Sequence, residues 1–101
     1  MNDDLYYTYI LFSEKDEKLY HGYTNDLKLR IEQHNKGLVT STKYRRPLKL
    51  IYFEACLNKK DALRREKYFK TYYGSMYIKK RLKEYFKQLN SYSTGREDSI
   101  S

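Results

Sequence analysis

Two tyrosine-rich runs, "LYYTYILF" at 5–12 and "KLYHGY" at 18–23, flank the polar segment "SEKDEK". Runs rich in aromatic and β-branched residues, parted by so short a loop, read as a β-hairpin. A hairpin forces antiparallel pairing, and whatever follows must pack on it. "LKLIYF" at 48–53, admitted by Pro47, reads as a third strand. Between them, Asn25 or Asp26 caps a helix whose run ends at Gly37. "NKKDALRREKYFKTYYG" starts from an Asn58 or Asp61 cap and reads as a second helix stopped by Gly74. Ser75 then caps a third helix to about Leu89, with Ile78, Leu82, Tyr85, Phe86 and Leu89 on one stripe. The order β-β-α-β-α-α predicts an α+β fold (an α/β sandwich): a three-stranded, mainly antiparallel sheet flanked by helices. The chain has 101 residues, room for one core and not two. The expected domain is 5–90, and "SYSTGREDSIS" at 91–101 reads as a disordered polar tail.

Charge narrows the partners. Lys and Arg total 21 against 13 acids, a formal net charge of +8. Setting aside the tail, with Arg96 against Glu97 and Asp98, makes the remainder more basic still. Such an excess attracts polyanions, nucleic acid first and an anionic membrane surface second. No predicted helix pairs a Lys-rich face with an exposed Trp/Phe/Leu face, which weakens the membrane reading. No run of about 18 apolar residues exists to span a bilayer. "MNDDLYY" lacks a basic-then-apolar signal pattern, so a cytoplasmic protein is expected; the sequence leaves its oligomeric state open, a monomer being favoured. Cys56 has no cysteine to pair with, and reads as a spare thiol rather than a nucleophile.

Three polar residues interrupt apolar stripes. At about 100° per residue, His34 falls about 20° from Leu27, inside its stripe, and Arg30 about 60° away at the edge. On the next helix Glu66 falls about 40° from Ala62, flanked by Phe69 and Tyr73. Each has a plain structural reading: Arg30 snorkels, His34 is a hydrogen-bonded core histidine, and Glu66 pairs with Lys70. If both stripes face the same side of the sheet, all three converge near its tyrosines. Tyr7 and Tyr9 alternate onto one face of the first strand, and Tyr6 onto the other. A cation for phosphate charge, a carboxylate for a divalent metal, and Tyr or His to move a proton make a phosphodiester-cleaving set. "TSTKYRRP" at 40–47, with Lys43, Arg45 and Arg46 around Tyr44, suits a phosphate chain or a splayed base. Its plain reading is a solvated charged loop.

These residues resemble the GIY-YIG nuclease superfamily, in the form of its small single-domain bacterial members. "YTY" at 7–9 stands where the family has G-I/V-Y, and "YHG" at 20–22 where it has Y-I/V-G. "YTNDLKLRIEQHN" and "DALRREKYFK" resemble its arginine-bearing and acidic helices. The resemblance implies the same sheet-and-helix fold and a metal-dependent endonuclease hydrolysing DNA, with low sequence specificity, structure-directed or repair-related. Tyr9 and Tyr20 become the signature tyrosines, one of them a general base whose pKa nearby cations lower. Arg30 stabilises the scissile phosphate, His34 aids the nucleophile or leaving group, and Glu66 is sole protein ligand of one Mg²⁺ or Mn²⁺ ion. Gly22 permits close backbone approach, and Tyr23 joins Lys43, Tyr44, Arg45 and Arg46 in holding nucleic acid. The chain departs from the pattern in carrying Tyr7 for the first glycine, His21 inside the second motif, and Tyr23 where repair relatives often have Lys. The competing reading is a non-catalytic module that binds DNA or structured RNA.

Overall fold

The computed structural model describes residues 4–92. Strands β1 (Tyr6–Ser13), β2 (Leu19–Thr24) and β3 (Leu48–Cys56) form one antiparallel sheet in the order β2-β1-β3. β1 is therefore central, and Ile10 and Leu11 are both fully buried although they point to opposite faces. In the register, Tyr9 lies between Gly22 and Phe53, and Leu11 between Tyr20 and Leu50. The pairing with β3 shifts between Ile10 and Leu11, so Ile51 is an extra residue that keeps Leu50 and Phe53 on one face.

Helix α1 (Leu27–Asn35) covers the face bearing Tyr9 and Leu11, where Leu27 and Ile31 pack on Leu11, Leu48 and Leu50. The Asp26 side chain caps it, accepting from the Leu29 N–H at 3.1 Å. It ends where expected. Gly37 has φ +79°, its N–H donates to the His34 carbonyl, and the Leu38 N–H donates to that of Gln33, a Schellman closure. A single 3₁₀ turn, Lys43–Arg45, precedes β3.

Helix α2 (Lys59–Phe69) takes the other face. Thr8, next to Tyr9 on β1, donates its hydroxyl to the Ala62 carbonyl at 2.9 Å. Successive strand residues point to opposite sides, so α1 and α2 sandwich the sheet rather than share a face. The α2 register is fixed by Arg65, whose guanidinium grips the Glu54 carboxylate at 2.8 and 3.0 Å.

Residues through Lys67 form one compact unit and those from Tyr68 a second. In the second, α2 ends at Phe69 and Thr71 caps α3 (Tyr72–Arg81), accepting from the Gly74 N–H at 3.1 Å. This corrects the expected boundary: Gly74 lies inside α3, not after α2, and Ser75 is not the cap. Leu82 then breaks the expected long helix, and α4 (Lys83–Tyr92) follows. The order β-β-α-β-α-α thus holds, with its last helix in two pieces. α4 enters the stretch read as tail by two residues, and 93–101 lie outside the described residues. Among the described residues no helix is long and apolar enough to cross a membrane.

Candidate active site

The Tyr9 side chain crosses the sheet toward β2, directly over Gly22. A Cβ at Gly22 would stand 2.4 Å from both Cζ and Oη of Tyr9. Glycine is needed here for space, since its backbone is ordinary extended strand. Gly22 is buried beneath that ring, so it serves the site from within, not as a surface for nucleic acid.

A buried chain of polar groups starts at the Tyr9 hydroxyl. It shares a 2.8 Å hydrogen bond with His34 Nε2, and His34 Nδ1 shares one of 2.7 Å with the Thr42 hydroxyl. Tyr9 is 1% exposed, and His34 and Thr42 are fully buried. Burial, reinforced by the Arg30 charge, lowers the imidazole pKa to about 4, so at neutral pH the ring carries one proton. Either Tyr9 donates to Nε2 while Nδ1–H donates to Thr42, or both bonds reverse. The Tyr20 ring stands edge-on to His34, with centroids 5.2 Å apart, and its half-buried hydroxyl accepts from Ser41 at 3.4 Å.

Arg30 and Glu66 both act on the Tyr9 hydroxyl, the guanidinium favouring its ionisation and the carboxylate opposing it. The two arrive from helices on opposite faces, which corrects the expectation of stripes sharing one face. A second correction concerns charge: burial outweighs the nearby guanidinium and pushes the Tyr9 pKa up to about 12, not down. Arg30 donates to Gln33 Oε1 at 3.1 Å and has no ion pair among the described residues.

The basic loop divides. Arg45 is held by Asp16 (Nε to Oδ2 2.6 Å), and the arginine keeps that carboxyl well below the usual range. The Ser13 hydroxyl also donates to the Arg45 carbonyl at 2.6 Å, so Arg45 ties the loop to the hairpin turn instead of facing a ligand. Arg46 folds back to donate to the Lys43 carbonyl at 3.0 Å. Lys43 sits 5.0 Å over the ring of Tyr44, which is 74% exposed, and Arg46, though folded back, is exposed as well. Tyr23 stacks on Tyr6 with rings 13° from parallel. His21, opposite Ile10, is on the face away from Tyr9.

Sequence reasoning missed Thr42 and Lys59. Thr42 meets His34 only because the Gly37 turn folds the loop back over α1. Lys59 shares a cleft with Arg30 across a gap in sequence that no local pattern spans.

The sequence profile described as the GIY-YIG catalytic domain matches residues 5–78. The chain belongs to the GIY-YIG family. In this GIY-YIG domain the tyrosine of the first motif and the glycine of the second are one packing unit, Tyr9 over Gly22. The chain is 51% identical over 65 residues to UPF0213 protein CPE1444 of Clostridium perfringens, covering 63% of this chain and 69% of that protein. A UPF0213 protein of Pediococcus pentosaceus is 47% identical over 75 residues, covering 73% and 78%. The solution NMR structure of UPF0213 protein BH0048 from Bacillus halodurans, 31% identical, aligns over 96% of this chain and 97% of that one with a TM-score of 0.39.

Proposed function

We infer that this domain is a metal-dependent endonuclease that hydrolyses DNA phosphodiester bonds with little sequence preference. One observation carries this: the Tyr9 hydroxyl is hydrogen-bonded to the His34 imidazole and lies within the influence of the Arg30 and Glu66 charges, which come from helices on opposite faces. A structural role alone does not explain the concentration, since each could be replaced by an apolar residue at less desolvation cost.

Arg30, with no acidic partner among the described residues, is available to take up charge on the scissile phosphate. Tyr9, buried and protonated at neutral pH, is a poor acceptor for a water's proton. Tyr20, half-buried and beside the same imidazole, is the tyrosine positioned for that role. Neutral His34 bridges Tyr9 and Thr42, one ring nitrogen donating and the other accepting, so a proton shift along the chain reverses both bonds. Glu66 is the residue that would hold Mg²⁺ or Mn²⁺. The donor chemistry fits a hard cation: Glu66 is a half-buried carboxylate. Mg²⁺ is commonly bound by one or two carboxylates, the rest being water and phosphate oxygens. Such an ion would supply neutralisation of charge developing on the phosphate and leaving oxygen.

Nicking of supercoiled plasmid tests the reading. Wild type nicks in Mg²⁺ and not in EDTA, and Arg30→Ala and Glu66→Ala remain folded and inactive. Equal cutting by both variants overturns it. The raised Tyr9 pKa favours the second reading, a nucleic-acid-binding module without cleavage. That reading requires salt-sensitive binding in EDTA and no product in Mg²⁺ or Mn²⁺.

A further inference from the structure

Beside Arg30 a cleft of about 360 Å³ opens where β2 runs into α1 and α2 begins. Two cations reach it from separate elements: Arg30 from α1 and Lys59 from the first residue of α2. Neither has an acidic partner among the described residues. The one carboxylate on its wall, Asp26, is turned to the α1 N-terminus, accepting the Leu29 N–H, and so offsets the cations little. Tyr23 gives the cleft an aromatic wall, already supported from behind by the parallel ring of Tyr6. Leu29, 48% exposed, adds an apolar surface, and Gln33 an amide already turned to Arg30.

The position of Lys59 is not what helix stability asks for. Lys59 and Lys60 both stand in the first turn of α2, where the helix dipole disfavours cations. Asn58 already caps that end, accepting the Lys60 N–H at 2.8 Å.

We propose that this cleft is a subsite for the DNA nucleotide adjoining the scissile phosphate, with Lys59 pairing to its phosphate and Tyr23 and Leu29 bearing on its base. The proposal rests on the nucleic-acid reading of the Arg30 site and adds a second phosphate contact to it. Two cations at one cleft track two consecutive phosphates, and an aromatic wall accepts any base, which suits binding without sequence readout.

The test is titration of a fluorescein-labelled single-stranded DNA oligonucleotide in EDTA at several salt concentrations, with Tm measured beside it. Lys59→Ala is expected to weaken binding about tenfold at low salt and to flatten the slope of log K against log salt by about 0.7. Its Tm should hold or rise, because a cation leaves a helix N-terminus. Lys59→Arg should restore affinity, and Tyr23→Ala should cost about tenfold where Tyr23→Phe does not. Unchanged affinity and slope in Lys59→Ala, or a Tm that falls with affinity, overturns the proposal, as does wild type that binds no DNA. If wild type binds, depends on Lys59 and yet never cuts in Mg²⁺ or Mn²⁺, the hydrolase reading fails while the cleft stands. If wild type cuts and Lys59→Ala leaves both KM and affinity untouched, the cleft alone fails.

Discussion

A methyl group on Gly22 would meet the Tyr9 ring at 2.4 Å, far inside van der Waals contact. The ring is held by His34 and is 1% exposed, so it has little room to yield. Gly22→Ala should therefore lower Tm and cut any nicking rate by about a hundredfold, since displacement by about 1 Å is enough to misalign a site. A second prediction concerns acid. His34 titrates near 6.5 when unfolded and about 4 when folded, so between these values the unfolded chain binds the extra proton. Stability from this group is complete above about pH 6.5 and is lost as pH falls toward 4. Urea midpoints at pH 7 and pH 5 should show the loss, and His34→Gln should diminish it. Tyr9 has the opposite sign: its stabilisation is complete below pH 10 and fades as pH rises toward about 12. Of these residues, Arg30, His34 and Glu66 stood out in the sequence because each breaks an apolar stripe. Thr42 did not, because a loop threonine carries no periodic mark.

Among the elements, α3 separates two roles that local pattern confused. Gly74 resembles a helix stop, yet a Cβ there would stand 1.8 Å from the Tyr68 carbonyl oxygen. It is a close-approach glycine inside the first turn, and Thr71 before it is the cap. Thr71→Ala should cost about 1 kcal/mol, and Gly74→Ala about 2–3 kcal/mol despite alanine's better helix propensity. Chemical denaturation ranks the two; a stabilised Gly74→Ala would show that the backbone contact is loose. The hairpin and β3 emerged within a few residues of their true ends because alternation and turn chemistry are local. The Arg45–Asp16 pair was not legible, because loop arginines look alike until a fold supplies a partner. Arg45 carries out a tether's work, so Arg45→Ala should loosen the loop at Ser13 more than it changes DNA affinity.

Across the molecule, a net charge of +8 carries the expectation of polyanion binding. If Arg30, Lys43 and Lys59 each meet a phosphate, log K for single-stranded DNA should fall with log salt at a slope of about −2. Binding should persist in EDTA while nicking does not; nicking at full rate in EDTA would remove the metal from the mechanism.

The succession of strands and helices along the chain and the identity of the three stripe-breaking side chains follow from the sequence, because hydrophobic periodicity, caps and turns act over a few neighbouring residues. Where those side chains meet does not. Tertiary structure set α1 and α2 on opposite faces, brought the Arg30 and Glu66 charges within influence of the Tyr9 hydroxyl, and buried that phenol deeply enough to raise its pKa. Burial depends on what packs against a group from distant elements, and no window of sequence contains that.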